Sequence, residues 1–144
     1  MIFYVESIEF RTERRFEVRD VTGNVIDAVG RSGVKRGLLN VWAPHTTATV
    51  TVNERDPDLW MDILDVFLRL VPADGRYRHN EKYRWIPGEQ NAHAHIISSM
   101  LKPDVTVPVE NGRLKLGSWQ AILFVELDGP RNRRVEVTVI GEKT

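Results

Sequence analysis

The chain has 144 residues and no cysteine, and its twenty basic and twenty acidic side chains cancel to a formal net charge of zero. Apolar residues make up 42% and charged residues 28%, which is typical of a globular protein, and the length predicts one domain over residues 1–144. A neutral balance gives no general attraction to nucleic acid or anionic membranes. Without cysteine there are no disulfides or thiolate metal sites, which fits a cytoplasmic protein and equally a protein from a hot environment that avoids labile residues. No apolar run reaches the length of a signal sequence or membrane span.

Strand patterns dominate the chain. Alternating polarity or a β-branched composition predicts about eight strands, at residues 2–10, 14–19, 38–42, 46–53, 105–109, 114–116, 120–126 and 134–140. A short charged turn joins the first two into a predicted hairpin. The Asn111-Gly112 pair predicts a second hairpin turn, Gly117 a bulge after it, and Asp128-Gly-Pro130 the last turn.

Helical spacing of apolar residues predicts three helices, over residues 22–29, 56–70 and 90–101. Thr22 has the chemistry of an N-cap for the first helix, which Gly30 and Gly33 are expected to end. Residues 73–90 have no regular pattern, which is long for a loop and predicts a functional or oligomer-contact segment. The pattern as a whole predicts an α+β fold, mainly an antiparallel β-sandwich with two to three helices packed at its side.

Three histidines are candidates for a site. Residues two apart on a helix lie on nearly opposite faces, so His93 falls on the apolar side and His95 on the polar side. His45 follows Pro44, which holds the chain extended at a loop-to-strand junction, and His79 lies in the irregular stretch. No short-range metal spacing joins His45, His79 and His95. Each is also explained as a hydrogen-bonded or solvent-exposed histidine.

Carboxylates and guanidinium groups form the second candidate set. Glu126 lies in an apolar strand and needs a partner, which Arg131 or Arg133 provides across the tight turn. Two guanidinium groups near a turn suit bidentate phosphate binding. Arginines at such positions are also found simply as solvent-exposed charges on an edge strand. Glu54, at a strand end, is a candidate carboxylate ligand or a surface acid. Gln120 enters a core strand and needs a hydrogen-bond partner.

Short motifs with these residues follow one another in a characteristic order: His45-Thr-Thr-Ala48, Asn53-Glu54, Tyr77-Arg-His79, Asn91-x-x-Ala-His95, Asn111-Gly-Arg-Leu114, Leu116-Gly-Ser-Trp-Gln120 and Asp128-Gly-Pro-Arg-x-Arg133. In order and spacing they closely resemble the YjbQ family, also called secondary thiamine-phosphate synthase enzymes. The resemblance covers almost the whole chain, most sharply from His45 onward. It implies a β-sandwich-like α+β fold, a homotrimer and a polar pocket.

The resemblance also implies an activity, which is weak thiamine phosphate synthesis from a pyrimidine diphosphate and a thiazole phosphate with loss of pyrophosphate. We therefore expect a phosphorylated small-molecule substrate and no organic cofactor. We expect a divalent metal, zinc or another transition metal or Mg²⁺, on His45, His79 and His95. The other expected roles are catalysis by Glu54, Glu126 and Gln120, phosphate binding by Arg131 and Arg133, and support by Asn91.

Other functions fit the same residues. Enzymes that release pyrophosphate usually bind Mg²⁺ through oxygen ligands, whereas three imidazoles suit a transition metal. A metal-assisted hydrolase of a small molecule is therefore an alternative. A second alternative is a non-catalytic trimer that binds a phosphorylated metabolite, which saturable binding without turnover would indicate. A third is a structural trimer whose histidines are only hydrogen-bonded.

Overall fold

The computed structural model describes residues 1–144, which form eight strands and four helices. The strands are β1 (Ile2–Arg11), β2 (Glu17–Asp20), β3 (Arg36–Trp42), β4 (Ala48–Asn53), β5 (Asp104–Glu110), β6 (Arg113–Leu114), β7 (Ala121–Glu126) and β8 (Asn132–Glu142). The helices are α1 (Thr22–Ser32), α2 (Pro57–Leu70), α3 (Arg78–Lys82) and α4 (Ala92–Met100). None of these helices is long and apolar enough to cross a membrane.

The strands form two antiparallel sheets, a five-stranded sheet in the order β1-β8-β3-β5-β6 and a three-stranded sheet in the order β2-β7-β4. The predicted α+β class with a mainly antiparallel sandwich is confirmed. The fourth helix is the five-residue α3, which lies within the stretch that has no regular sequence pattern.

The predicted hairpin between the first two strands is wrong. β1 pairs with β8 in the large sheet, and β2 pairs with β7 in the small sheet, so residues 12–16 cross between sheets. Alternating polarity specifies which face of a strand is buried, but any strand with a matching face can serve as its neighbour. The crossing is held by Thr12, whose backbone N–H donates to the Arg131 oxygen at 2.9 Å.

Two local signals are confirmed at the ends of the elements. Asp56 caps α2 by accepting from the backbone N–H groups of Asp58 and Leu59. The Asn111-Gly112 turn joins β5 to β6, and both residues have positive φ, as its hairpin chemistry requires.

Three local predictions differ from the structure. Thr22 is the first residue of α1 rather than its cap, and its N–H donates to the Asp20 carboxylate. Gly30 lies inside α1, which ends at Gly33 in the left-handed conformation. Gly117 is not a bulge, because β6 stops at Leu114. The sixth strand is short because residues 115–120 form a loop, in which the Gly117 N–H donates to the Gln120 side chain.

The main core lies between the two sheets, and a smaller apolar cluster packs α4 against the end of β7. β7 is buried at all six positions, which carries Glu126 into the interior. Leu127 and Val125 belong to the cluster with Ile97 of α4. This packing brings the last residues of β7, the turn before β8 and the start of α4 together.

Candidate functional site

A polar cavity of about 770 Å³ opens where β3 and β7 end, β4 and β8 begin, and α4 starts. We call it the main cavity. Its polar lining residues are His45, Thr46, Thr47, Glu89, Asn91, His95, Arg131 and Arg133. Five of these were predicted as site residues from the sequence: His45, Asn91, His95, Arg131 and Arg133.

Glu126 and Arg133 form a buried ion pair beside this cavity. The Glu126 side chain is fully buried, and its carboxylate accepts from Arg133 Nε at 2.7 Å and Nη2 at 2.5 Å. It also accepts from the Thr12 hydroxyl at 2.8 Å and from the Asp128 N–H at 3.0 Å. Arg133 Nη2 donates to the Thr47 hydroxyl at 2.9 Å as well. Glu126 is therefore saturated with donors, and of the two arginines proposed as its partner, the structure selects Arg133.

Arg131 is the more open of the two arginines, with 42% of its side chain exposed. Its Nε donates to the Asp128 backbone oxygen and its Nη2 to the Asp128 carboxylate, both at 2.8 Å. The same carboxylate oxygen accepts from Asn91 Nδ2 at 2.7 Å. Because an ionised carboxylate only accepts, this bond defines the orientation of the Asn91 amide. Asp128 thereby links the turn before β8 to the start of α4.

The two arginines predicted to bind phosphate thus lie in different environments. Arg133 is paired with a buried carboxylate, and Arg131 with one at the cavity edge. Neither Nη1 nitrogen takes part in these bonds, and both residues line the main cavity. Any anion bound here would be held by directed N–H donors rather than by an excess of positive charge.

His45 faces two cavities, the main one and a neighbour of about 440 Å³. Its Nε2 lies 3.0 Å from the backbone oxygen and 3.2 Å from the backbone nitrogen of Arg134. The Arg134 backbone thus offers His45 Nε2 both an acceptor and a donor, so it can pair with either neutral tautomer of this ring. Burial, followed by the charge of Arg133, lowers the pKa of His45. The neutral imidazole is therefore favoured.

His79 and His95 are neighbours beside the main cavity, with ring centroids 4.8 Å apart and ring planes inclined by 51°. His95 lines the main cavity, and both rings line a neighbouring cavity of about 490 Å³. Burial, followed by the proximity of His79, lowers the pKa of His95. The oxygen of the Asn80 amide lies 3.1 Å from His79 Nδ1, which orients that ring.

Of the three histidines predicted to bind a metal, His79 and His95 are neighbours, and His45 lines the main cavity with His95. No group of three or more His, Asp or Glu side chains has a geometry that could hold a metal ion. His79 and His95 provide two imidazoles, whereas a catalytic zinc site takes three protein ligands. The expected metal therefore stays a prediction.

Glu54 and Gln120 lie far from the main cavity. Asn53 pairs with Ala121, and Ala48 pairs with Glu126, so Glu54 and Gln120 stand at the opposite end of the small sheet from Glu126. At roughly 3.3 Å per residue, about 20 Å of strand separates them from the cavity in the same chain. Gln120 Oε1 accepts from the Gly117 N–H, which supplies its expected partner. The structure does not bring either residue to the other predicted site residues.

His93 is buried, with its Nε2 3.3 Å from the Leu127 oxygen and its ring edge-on to Phe16. It does not line the main cavity, in line with its predicted place on the apolar side of α4.

Sequence reasoning missed three residues that hold the site together: Thr12, Thr47 and Asp128. Asp128 and Thr47 stand inside the quoted motifs, next to residues that were selected, so position in the motif was an available signal. Thr12 had no such signal, because its contacts are with residues more than 110 positions away.

The protein is thus a small α+β protein with two antiparallel sheets and a cavity at one end that is lined by histidines and arginines. A family model described as "UPF0047 protein YjbQ-like" matches residues 6–142, and the chain belongs to that family. A UPF0047 protein of Methanothermobacter thermautotrophicus is 40% identical over 99% of this chain and 95% of its own length. Among solved structures, a hypothetical protein from Aeropyrum pernix K1 has a TM-score of 0.90 and 43% identity, covering 96% of this chain and 99% of that one. A protein of unknown function from Sulfolobus solfataricus P2 has a TM-score of 0.89 and 35% identity, covering 97% and 98%.

Proposed function

We propose that the main cavity binds the phosphate end of a small molecule and that the chain is a cytoplasmic group-transfer enzyme. The observation that carries this proposal is the Arg131 guanidinium, held by Asp128 on two sides and open to a cavity it shares with His45 and His95. A preorientated guanidinium with free N–H donors matches the geometry of phosphate oxygens.

The reaction that the family resemblance implies fits this arrangement chemically. A ring nitrogen of the thiazole phosphate forms a C–N bond to the pyrimidine methylene carbon, and the C–O bond to pyrophosphate breaks with its electron pair on oxygen. The Nη1 groups of Arg131 and Arg133 would stabilise the charge on the departing pyrophosphate. Glu126 would not act as a base, since its oxygens already accept four hydrogen bonds.

Inorganic pyrophosphate is the probe for the binding step. We expect the wild-type protein to bind it in calorimetry, and Arg131→Met to weaken binding roughly 10- to 100-fold, the cost of losing a charge-assisted hydrogen bond. Arg113→Met, which removes an exposed arginine outside the cavity, is the matched control and should bind as the wild type does. Equal affinity in the two variants would refute the assignment of Arg131. Binding without formation of thiamine phosphate would favour the non-catalytic alternative.

A metal-assisted hydrolase is the second candidate, and the neighbouring rings of His79 and His95 favour it. Because two imidazoles are too few, the remaining ligands would come from the substrate, from water or from another copy of the chain. If the protein is such a hydrolase, we expect the purified protein to contain about one transition-metal ion per chain and a His79→Gln/His95→Gln variant to contain none. Elemental analysis of both proteins checks it, with His93→Gln as a histidine control outside the cavity. Metal absent from the wild type after incubation with Zn²⁺ would reject the candidate.

We also propose a homotrimer, in line with the resemblance. The face of the large sheet that points away from the core carries a row of exposed apolar side chains on four neighbouring strands: Phe3, Ile140, Leu38 and Pro108. Phe3 is 69% exposed and Leu38 48% exposed. A contiguous apolar row of this kind on a sheet supports an interaction surface between copies.

A further inference from the structure

We infer that Thr12 is a positioning residue for the anion-binding arginine, acting through the backbone of Arg131. This inference rests on the proposed function, because it assigns Thr12 to the alignment of the same guanidinium. Thr12 lies directly after β1, is 1% exposed and is absent from the lining of the main cavity. Its influence on a ligand would therefore be indirect.

The Thr12 hydroxyl bridges two parts of the site. It accepts from the Arg131 N–H at 2.9 Å and donates to Glu126 Oε2 at 2.8 Å. A hydroxyl has only one proton, and the Arg131 oxygen is farther away at 3.2 Å and uncharged, so the carboxylate receives that proton. The chain of bonds thus runs from the Arg131 backbone through Thr12 to the carboxylate that holds Arg133.

The turn that carries Arg131 is wrapped closely around this hydroxyl. A Cβ placed on Gly129 would lie 2.8 Å from the Thr12 hydroxyl and would overlap the Arg14 backbone oxygen. The Gly129 N–H donates to the Arg15 oxygen at 3.0 Å, and the Thr12 N–H donates to the Arg131 oxygen. Both bonds fasten the turn to the segment that crosses between the sheets, so a change at Thr12 is transmitted directly to Arg131.

Removal of the hydroxyl has a specific consequence. Valine has nearly the shape of threonine, so Thr12→Val leaves the volume unchanged but leaves the Arg131 N–H without its acceptor and Glu126 with three donors. A partly buried donor without a partner costs free energy, which favours a shift of the backbone toward another acceptor. Because Arg131 Nε also bonds within this turn, to the Asp128 oxygen, displacement of the backbone misaligns the guanidinium.

Calorimetry with inorganic pyrophosphate tests the inference on four folded proteins: the wild type, Thr12→Val, Thr12→Ser and Thr22→Val. Thr22→Val is the matched control, because it removes another buried hydroxyl, one that bonds Asp20 and Ile122 away from the main cavity. We expect Thr12→Val to weaken binding about 10-fold, Thr12→Ser to restore it to within about 2-fold, and Thr22→Val to leave it unchanged. Wild-type affinity in Thr12→Val, or an equal loss in Thr22→Val, would overturn the inference.

Amide hydrogen exchange gives a second readout that needs no ligand. The Arg131 amide should exchange at least roughly 10-fold faster in Thr12→Val than in the wild type and Thr12→Ser. The Leu127 amide, which donates to the Thr47 oxygen, serves as the internal reference. If the wild type does not bind pyrophosphate, the proposed function fails, while exchange at Arg131 still decides whether Thr12 positions this residue. Unchanged exchange at Arg131 in Thr12→Val would overturn the inference.

Discussion

Replacement of Glu126 by glutamine is expected to lower the free energy of unfolding by roughly 3–5 kcal/mol, because it leaves the buried Arg133 charge without its counter-ion. Glu126 is 0% exposed and Arg133 is 5% exposed, so water compensates the unpaired guanidinium only in small part. The new amide would also direct its NH₂ group at donors that now meet a carboxylate. Urea unfolding at one fixed chain concentration measures the effect, since association would make stability depend on concentration.

Two further variants show whether the loss comes from the unpaired charge. Glu126→Leu combined with Arg133→Met removes both charges and should recover most of the stability, as replacement of buried ion pairs by apolar residues generally does. Glu110→Gln breaks an exposed pair with Lys115 and should leave the stability close to that of the wild type, because solvent screens such a pair. A loss below about 1 kcal/mol in Glu126→Gln would mean that the pair does not organise this end of the sheet.

The second large effect is expected from the outer face of the five-stranded sheet. A Phe3→Glu/Leu38→Glu variant places two carboxylates in the exposed apolar row and should convert the proposed trimer to monomers. Burial of two unpaired charges in an interface costs several kcal/mol, more than such an interface tolerates. Light scattering coupled to gel filtration measures the mass of wild type and variant.

Met61→Glu is the matched control for this experiment. Met61 is 64% exposed on α2, away from the large sheet, so its replacement adds a charge without touching the proposed surface. A monomeric wild type would refute the trimer itself. A variant that stays trimeric would refute the assignment of this face, and dissociation of the Met61 variant would place the contact on α2.

Local chemistry made several parts of the fold predictable. Asp56 and Pro57 begin α2 because a capping carboxylate and a proline at the first helical position both act within one turn. Asn111 and Gly112 form the hairpin turn because they tolerate positive φ. The spacing of His93 and His95 predicted the buried and the open side of α4, since helical periodicity alone determines which side chains share a face.

The sequence by itself thus determined where the strands and three of the four helices lie, which faces they bury, and which residues carry the motifs of the resemblance. Only the tertiary structure decided that β1 pairs with β8, that Arg133 rather than Arg131 neutralises Glu126, and that Glu54 and Gln120 stand at the far end of the small sheet. The physical reason is that a strand pattern with a period of two specifies a face and not a neighbour. A buried charge likewise requires a partner without specifying which one, and only the folded positions of β7 and β8 place Arg133 rather than Arg131 against Glu126.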